Sequence, residues 1–206
     1  FLYQRFLDAR QWFTEEEYKL AYPIFKELQH NISPVYEINQ QLYVEELAFY
    51  NLACELMEDN PGAAQASKQF LQSNASGHAK GQLGYYLGSY FFRRQDYENA
   101  IAAFEKANIT QLNNSQIATM QFQQGYSYFT QKQFGTAKQL MNSVRQVKES
   151  PYYFDANYYY GLLAFNDKQY KEALASFDKV KNHKKYESMV PYYSASIQYA
   201  LGEKDK

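Results

Sequence analysis

One arrangement of side chains recurs along the chain and leaves little freedom in what it can fold into. Phe13, Tyr18, Ala21, Phe25 and Leu28 form a fixed frame, aromatic-x4-aromatic-x2-Ala-x3-large-x2-apolar. The same spacing returns at Phe92, Tyr97, Ala100, Phe104 and Ala107, and again at Phe129, Phe134, Ala137, Met141 and Val144. A fourth copy runs through Phe165, Tyr170, Ala173, Phe177 and Val180. Ala100, Ala137 and Ala173 are 37 and 36 residues apart, and the step of 79 from Ala21 to Ala100 leaves room for one divergent copy. Ala64 is expected at the equivalent position there. A constant period of this length means stacked copies of one small unit, none of which can bury its apolar face alone.

Upstream of each frame stands a small residue: Ala9, Gly88, Gly125 and Gly161, with Ala195 for a last copy. Each has an aromatic residue three positions before it (Phe6, Tyr85, Phe122, Tyr158, Tyr192) and one four positions after it (Phe13, Phe92, Phe129, Phe165, Tyr199). Offsets of −3 and +4 fall on neighbouring faces of a helix with 3.6 residues per turn. Each unit therefore reads as helix A, a tight turn, and helix B carrying Ala-x3-large. The small residues let the two axes approach, and the bulky residue one turn later fills the space beside them. Nine glycines and five prolines in 206 residues, about 7% against an average of roughly 12%, are too few for a loop-rich chain and favour helices.

Helix boundaries are expected where a capping residue precedes proline, at Ser33-Pro34, Asn60-Pro61 and Ser150-Pro151. Thr14-Glu15-Glu16-Glu17 reads as a capping box opening helix B of the first unit. Pro23 falls inside that helix and predicts a kink or a late start, and Pro191 raises the same question in the last helix, expected over Tyr186 to Leu201.

These motifs resemble the tetratricopeptide repeat (TPR). Leu87-Gly88 with Phe91, Tyr97, Ala100, Phe104 and Ala107 carries the likeness, as does Gly161 with Tyr170, Ala173, Phe177 and Val180. The resemblance covers nearly the whole chain. It departs in a period nearer 36, in the missing tryptophan of the usual signature, and in a degenerate second unit whose apolar helix, Tyr43 to Met57, matches in size only. It implies an all-α, right-handed α-solenoid of about five and a half helix-turn-helix repeats in a single superhelical domain. The expected repeats are 1–33, 34–74, 75–111, 112–149 and 150–183, with a half repeat at 184–206. The chain opens on Phe1 without an initiator Met, and the last unit supplies only helix A, so it reads as a piece of a longer polypeptide.

Catalysis finds little support. His30, His78 and His183 lie in or beside separate turns, where no pocket gathers them. Cys54 sits among Leu52, Ala53 and Leu56 with no basic neighbour, which describes a buried, inert thiol. One cysteine excludes a disulfide framework and a cysteine-based zinc site. Gly81, Gly84 and Gly88 lie inside helix A instead of after a strand, so they serve helix packing and not a dinucleotide. The short cluster Lys181, His183, Lys184 and Lys185 reads as a solvated turn. Four Asn-x-Ser/Thr sites, at Asn31, Asn74, Asn108 and Asn113, fall between repeats, where such residues cap helices. The expectation is a non-enzyme without metal or cofactor. A net charge of −1 argues against nucleic acid, and no apolar run approaches the ~20 residues of a membrane span.

Tyrosine is the surplus residue, 22 against 15 phenylalanines, and it concentrates on the A helices. In TPR proteins these helices line the concave groove. By resemblance, Tyr85, Phe122, Tyr158 and Tyr192, with Ser89, Tyr126, Leu162 and Ser196 a turn later, would face a peptide or protein partner. The +4 row is expected to pack between helices instead. An aromatic −3 row, with Arg10 alone offering a cation in the next row, argues against a carboxylate clamp. The expected function is a protein-interaction scaffold. The alternatives are a peptide-sensing regulatory module or an accessory factor in outer-membrane protein assembly. The stretch Ser150 to Gly161 resembles long bacterial cell-envelope TPR proteins, which implies a periplasmic or envelope location, with the cytoplasm as the other option. A homo-oligomer through the terminal repeats is a further expectation.

Overall fold

The computed structural model describes residues 2–31 and 40–202, and within these the chain is all-helical. The helices are α1 (Leu2–Thr14), α2 (Tyr18–His30), α3 (Gln40–Met57), α4 (Ala63–Gln72), α5 (Gly77–Arg93) and α6 (Tyr97–Phe104). After a 3-10 turn at Ile109–Gln111 come α7 (Asn114–Thr130), α8 (Phe134–Val144), α9 (Tyr153–Asn166), α10 (Tyr170–Val180) and α11 (Val190–Ala200). The odd-numbered helices are the A helices and the even-numbered ones to α10 are the B helices. Two compact units form, Phe1–Leu112 and Asn113–Lys206.

In the first unit α1 packs on α2, α2 on α3, α3 on α4 and α5, and α5 on α4 and α6. Its centre is a group of rings. Phe25, with no accessible surface, stacks on Tyr50 at 4.5 Å and meets Phe6 and Phe13 edge-on at 6.0 and 6.3 Å. In the second unit α7 packs on α8, α8 on α9, α9 on α10, and α10 on α11.

The small A-helix residues face the large B-helix ones. A Cβ added at Gly88 would come within 2.3 Å of the Phe104 ring, and one at Gly161 within 2.7 Å of Phe177. At Gly125 it would meet Leu140 at 3.0 Å and Met141 at 3.3 Å. Gly84 lies against the backbone of Lys106 and Ala107, 2.6 Å from the nearest atom. The +4 ring then closes each turn by meeting the first ring of helix B: Phe13–Tyr18 at 5.3 Å, Phe92–Tyr97 at 6.0 Å, Phe129–Phe134 at 5.7 Å and Phe165–Tyr170 at 6.1 Å. This explains the aromatic-x4-aromatic spacing.

Every A-to-B turn uses one device. Glu16, Asp59, Gln95, Lys132 and Lys168 all have φ between 54° and 63°, the left-handed region. Each follows the last residue of the turn's helical geometry, and paired hydrogen bonds reach back to the helix. The Lys132 N–H donates to the Phe129 carbonyl at 3.0 Å and the Gln133 N–H to the Tyr128 carbonyl at 2.9 Å, with the same pattern at the other four. This is a Schellman closure, a position normally given to glycine because a Cβ is strained there. Replacing Lys132 and Lys168 by glycine is therefore expected to stabilise the protein by about 0.5–1 kcal/mol each. Urea unfolding of the K132G/K168G variant tests this, and a midpoint at or below that of the wild type refutes it.

The same turn overrides the expected capping box. α1 ends at Thr14, whose hydroxyl donates to the Arg10 carbonyl, and Glu17 precedes α2 without a side-chain cap. Pro23 lies inside α2, which starts at Tyr18 and not late. At Asn60-Pro61 and Ser150-Pro151 the helix begins two residues after the proline, at Ala63 and Tyr153. The Asn60 and Ser150 carbonyls accept from the Ala63 and Tyr153 N–H groups at 3.2 and 3.0 Å. Each proline thus sits second in a separate turn, a position its fixed φ suits equally well. Ser33-Pro34 lies outside the described residues. Pro191 falls in the first turn of α11, which starts at Val190 instead of Tyr186. Asn113 and Asn108 act as caps, Asn113 in a full capping box with Gln116.

The degenerate second repeat becomes readable through its turn. The left-handed residue lies seven positions after Ala9, Gly88, Gly125 and Gly161. Counting back from Asp59 puts Leu52 at the small-residue position and Phe49 in the −3 row. On α4 the buried pair is Ala63 and Ser67, so the alanine equivalent is Ala63 and not Ala64. Ser67 stands where the other B helices carry Phe25, Phe104, Met141 and Phe177. Large and small have changed sides.

Candidate functional site

In the first unit the A helices α1, α3 and α5 surround a cleft of about 350 Å³, lined by Arg10, Glu45, Glu46, Phe49, Tyr50, Ser76, His78, Ala79 and Gln82. Phe49 and Tyr50 line it but are only 2% and 9% exposed, Tyr50 being fixed by its stack on Phe25 and Phe49 by ring contacts to Phe13 and Tyr86 at 6.0 and 5.9 Å. Glu45, 8% exposed, accepts a hydrogen bond from the Ser76 N–H at 2.9 Å and so pins the start of α5 to α3. Ser76 caps α5 by accepting from the Ala79 N–H. That places His78 and Gln82 on the rim. Arg10 lies 4.0 Å from Glu46, and both are well exposed, so the pair adds little stability and leaves the guanidinium open to exchange its carboxylate. The accessible side chains of the cleft are chiefly those of Arg10, Glu46, His78 and Gln82, and a few convergent polar groups are what orients a ligand in a cleft.

In the second unit the −3 row is covered by rings from the loops between repeats. Phe122 is stacked at 4.3 Å by Tyr152, which precedes α9, and Tyr158 at 4.2 Å by Tyr186, which precedes α11. Only 5% of Phe122 and 7% of Tyr158 remains accessible. Rings so covered hold each A helix to the loop leading into the next repeat. Tyr126 is half-buried and meets Tyr159 edge-on at 5.1 Å, and Leu162 is half-buried. Tyr192 is 71% exposed. In the first unit Tyr85 is half-buried and Ser89 buried. Accessible area in the row thus resides in Tyr85, Tyr126, Leu162 and Tyr192.

Other reactive side chains are engaged elsewhere. Burial pushes the Cys54 thiol far above the usual thiol range, and Glu58 and Glu55 act in the same direction. His183 packs on Phe154 at 4.5 Å, and Lys185 pairs with Asp155 at 2.5 Å and Lys181 with Asp178 at 2.7 Å. Among the described residues no group of three or more His, Cys, Asp or Glu is placed to hold a metal ion, and no helix is long and apolar enough to cross a membrane.

Two solved structures are similar in architecture. One is the apo form of RapI, with a TM-score of 0.57 at 18% identity, covering 98% of this chain and 61% of that one. The other is the C-terminal part of a TPR repeat-containing protein from Cytophaga hutchinsonii, with a TM-score of 0.59 at 15% identity, covering 100% of this chain and 78% of that one. The fold is of the TPR type. This chain spans less than two thirds of RapI. No family model matches the sequence, and no curated protein does.

Within the TPR frame the cleft residues are A-helix positions. Arg10 follows the small residue of α1, Phe49 belongs to the −3 row, and Glu46 and Gln82 both lie six positions before the small-residue site. Of these residues the sequence draws attention to Arg10 and, as a residue beside a turn, His78. Glu46 and Phe49 escape notice because Leu52 hides the register of α3, and Gln82 because its row contains no aromatic signal.

Proposed function

We propose that the protein is a non-enzymatic scaffold that binds a peptide or protein partner on the A-helix faces of its repeats. The observation that carries this reading is the cleft of α1, α3 and α5, whose lining comes from three successive repeats and gathers the accessible polar side chains of Arg10, Glu46, His78 and Gln82. A polar or charged peptide side chain suits such a surface. Tyr85 in the first unit and Tyr126, Leu162 and Tyr192 in the second contribute further contact area, as aromatic anchors do at protein interfaces.

Selection from a displayed random-peptide library tests the reading. Peptides enriched on the wild-type protein are expected to bind the Gln82→Arg variant at least tenfold more weakly, which is about 1.4 kcal/mol. Gln82 is half-buried on the rim, so circular dichroism is expected to be unchanged. Enriched peptides that bind both proteins equally would remove the cleft from the proposal, and a library that yields no binder would remove the scaffold function itself.

A further inference from the structure

The cleft of α1, α3 and α5 carries an excess of negative charge, and so does the unit around it. Residues 1–112 contain 9 Lys and Arg against 14 Asp and Glu, and residues 113–206 contain 12 against 8. The near-neutral chain therefore divides into units of net charge −5 and +4. Among the residues lining the cleft, Glu45 and Glu46 stand against Arg10. A recess with an excess of one sign focuses its field on an approaching ligand of the other.

The geometry shows which of these charges a ligand can use. Arg10 is engaged within the protein: its guanidinium lies 5.7 Å from the centre of the Phe6 ring and interacts with the Tyr50 hydroxyl. It reaches Glu46 only at 4.0 Å, too far for a hydrogen bond. The Glu46 carboxylate, with 40% of its side chain accessible, keeps lone pairs for an incoming donor. Glu45 meets the demand of the α5 start for an anion, accepting from the Ser76 N–H at 2.9 Å, and the Ser76 side chain answers the Ala79 N–H. Gln82 donates its amide N–H to the Gln111 carbonyl at 3.4 Å, so its own carbonyl oxygen adds a neutral acceptor to the cleft. An acidic ligand would have to displace Glu46 from Arg10 and then share the cleft with two like charges. A cation displaces nothing and adds its attraction to the set already there. We infer that the cleft takes a lysine or arginine side chain of its peptide partner, with Glu46 as the principal acceptor. This rests on the reading of the cleft as the binding site and names the chemistry of what enters it.

The displayed random-peptide library supplies the probe. Peptides enriched on the wild-type protein are expected to share one recurring Lys or Arg, whose replacement by Glu weakens binding at least tenfold. Glu46→Gln is expected to weaken the same peptides at least tenfold with circular dichroism unchanged. Glu98→Gln, which removes an equal charge from the exposed first turn of α6, is expected to leave their affinity within about twofold. Enriched peptides that lose affinity for Gln82→Arg but bind Glu46→Gln as well as the wild type overturn the inference and leave the cleft as the binding site. Equal losses from Glu46→Gln and Glu98→Gln overturn it as well, because the charge of the whole unit would then account for binding. A library without binders removes the scaffold reading and the inference together. A dimer in sedimentation that dissociates on Glu46→Gln would overturn it in favour of a second copy of this chain.

Discussion

Above about pH 10 the protein is expected to lose its fold before its most buried tyrosines lose their protons. Tyr86 and Tyr186 are 4% and 1% exposed. Burial raises both hydroxyls above the ordinary tyrosine value, and for Tyr186 the hydrogen bond it donates to the Asp155 carboxylate adds to the rise. Below the ordinary value both folded and unfolded chains hold these protons, so neither residue makes stability depend on pH. Above it the unfolded chain binds fewer protons than the folded one. Stability then falls by about 1.4 kcal/mol per pH unit for each such residue, or about 3 kcal/mol per unit for the pair. Tyr18 and Tyr159, half-buried and shifted upward chiefly by burial, act with the same sign. Against a typical total of about 5–15 kcal/mol, the pair alone needs about two to five pH units, and the further tyrosines shorten that span. Tyrosinate absorbance and circular dichroism followed together in an alkaline titration test this. An early ionisation step with the helix signal intact is expected, then a second step coincident with its loss. Ionisation of every tyrosine in one step, with the helices intact, would refute it.

Truncating Phe25 to alanine is expected to cost about 3–5 kcal/mol, the range for a fully buried aromatic side chain. Phe25 has no accessible surface and touches rings from α1 and α3, so its loss opens a cavity where three helices meet. The neighbours are large and mutually braced, Phe13 against Tyr50 at 4.9 Å and Phe6 against Tyr43 at 5.3 Å, so the cavity has little scope to collapse. Phe134 offers the contrast. It is 40% exposed and meets the Phe129 ring at 5.7 Å, and Phe134→Ala is expected to cost about 1 kcal/mol or less. Urea unfolding of the two variants gives the comparison, and a loss for Phe25→Ala no larger than for Phe134→Ala would mean that the ring cluster does not hold the first unit together.

The helical pairs of the first, third, fourth and fifth repeats are legible in the sequence because small and large side chains alternate there at fixed spacing, and Gly88 against Phe104 needs no further information. The turns are not legible. Glu16, Gln95, Lys132 and Lys168 occupy left-handed positions that carry no glycine, so the strongest stop signal is absent and Thr14-Glu17 imitates a helix start. Prolines mislead by two residues at Ala63 and Tyr153, since a proline fits the second position of a turn as readily as the first of a helix. At the candidate site Tyr85 and Tyr126 are visible as aromatic A-helix residues. The cover given to Phe122 by Tyr152, and to Tyr158 by Tyr186, joins residues 28 to 30 positions apart, a pairing that depends on where the loop between repeats returns and not on any local pattern.

A chain of near-identical helix pairs risks docking a helix on the wrong neighbour while it folds, a failure to which repeat proteins are prone. The exchange of Leu52 and Ser67 bears on that hazard. A B helix with phenylalanine at its large position meets Leu52 on α3 and finds no hole. α4, with only Ser67 to offer, leaves a void against Gly88, Gly125 or Gly161. Both mismatches are costly in a close-packed interior. The second repeat thereby carries an address that the others lack, and the chain gains a fixed point from which the order of its remaining helices can be counted.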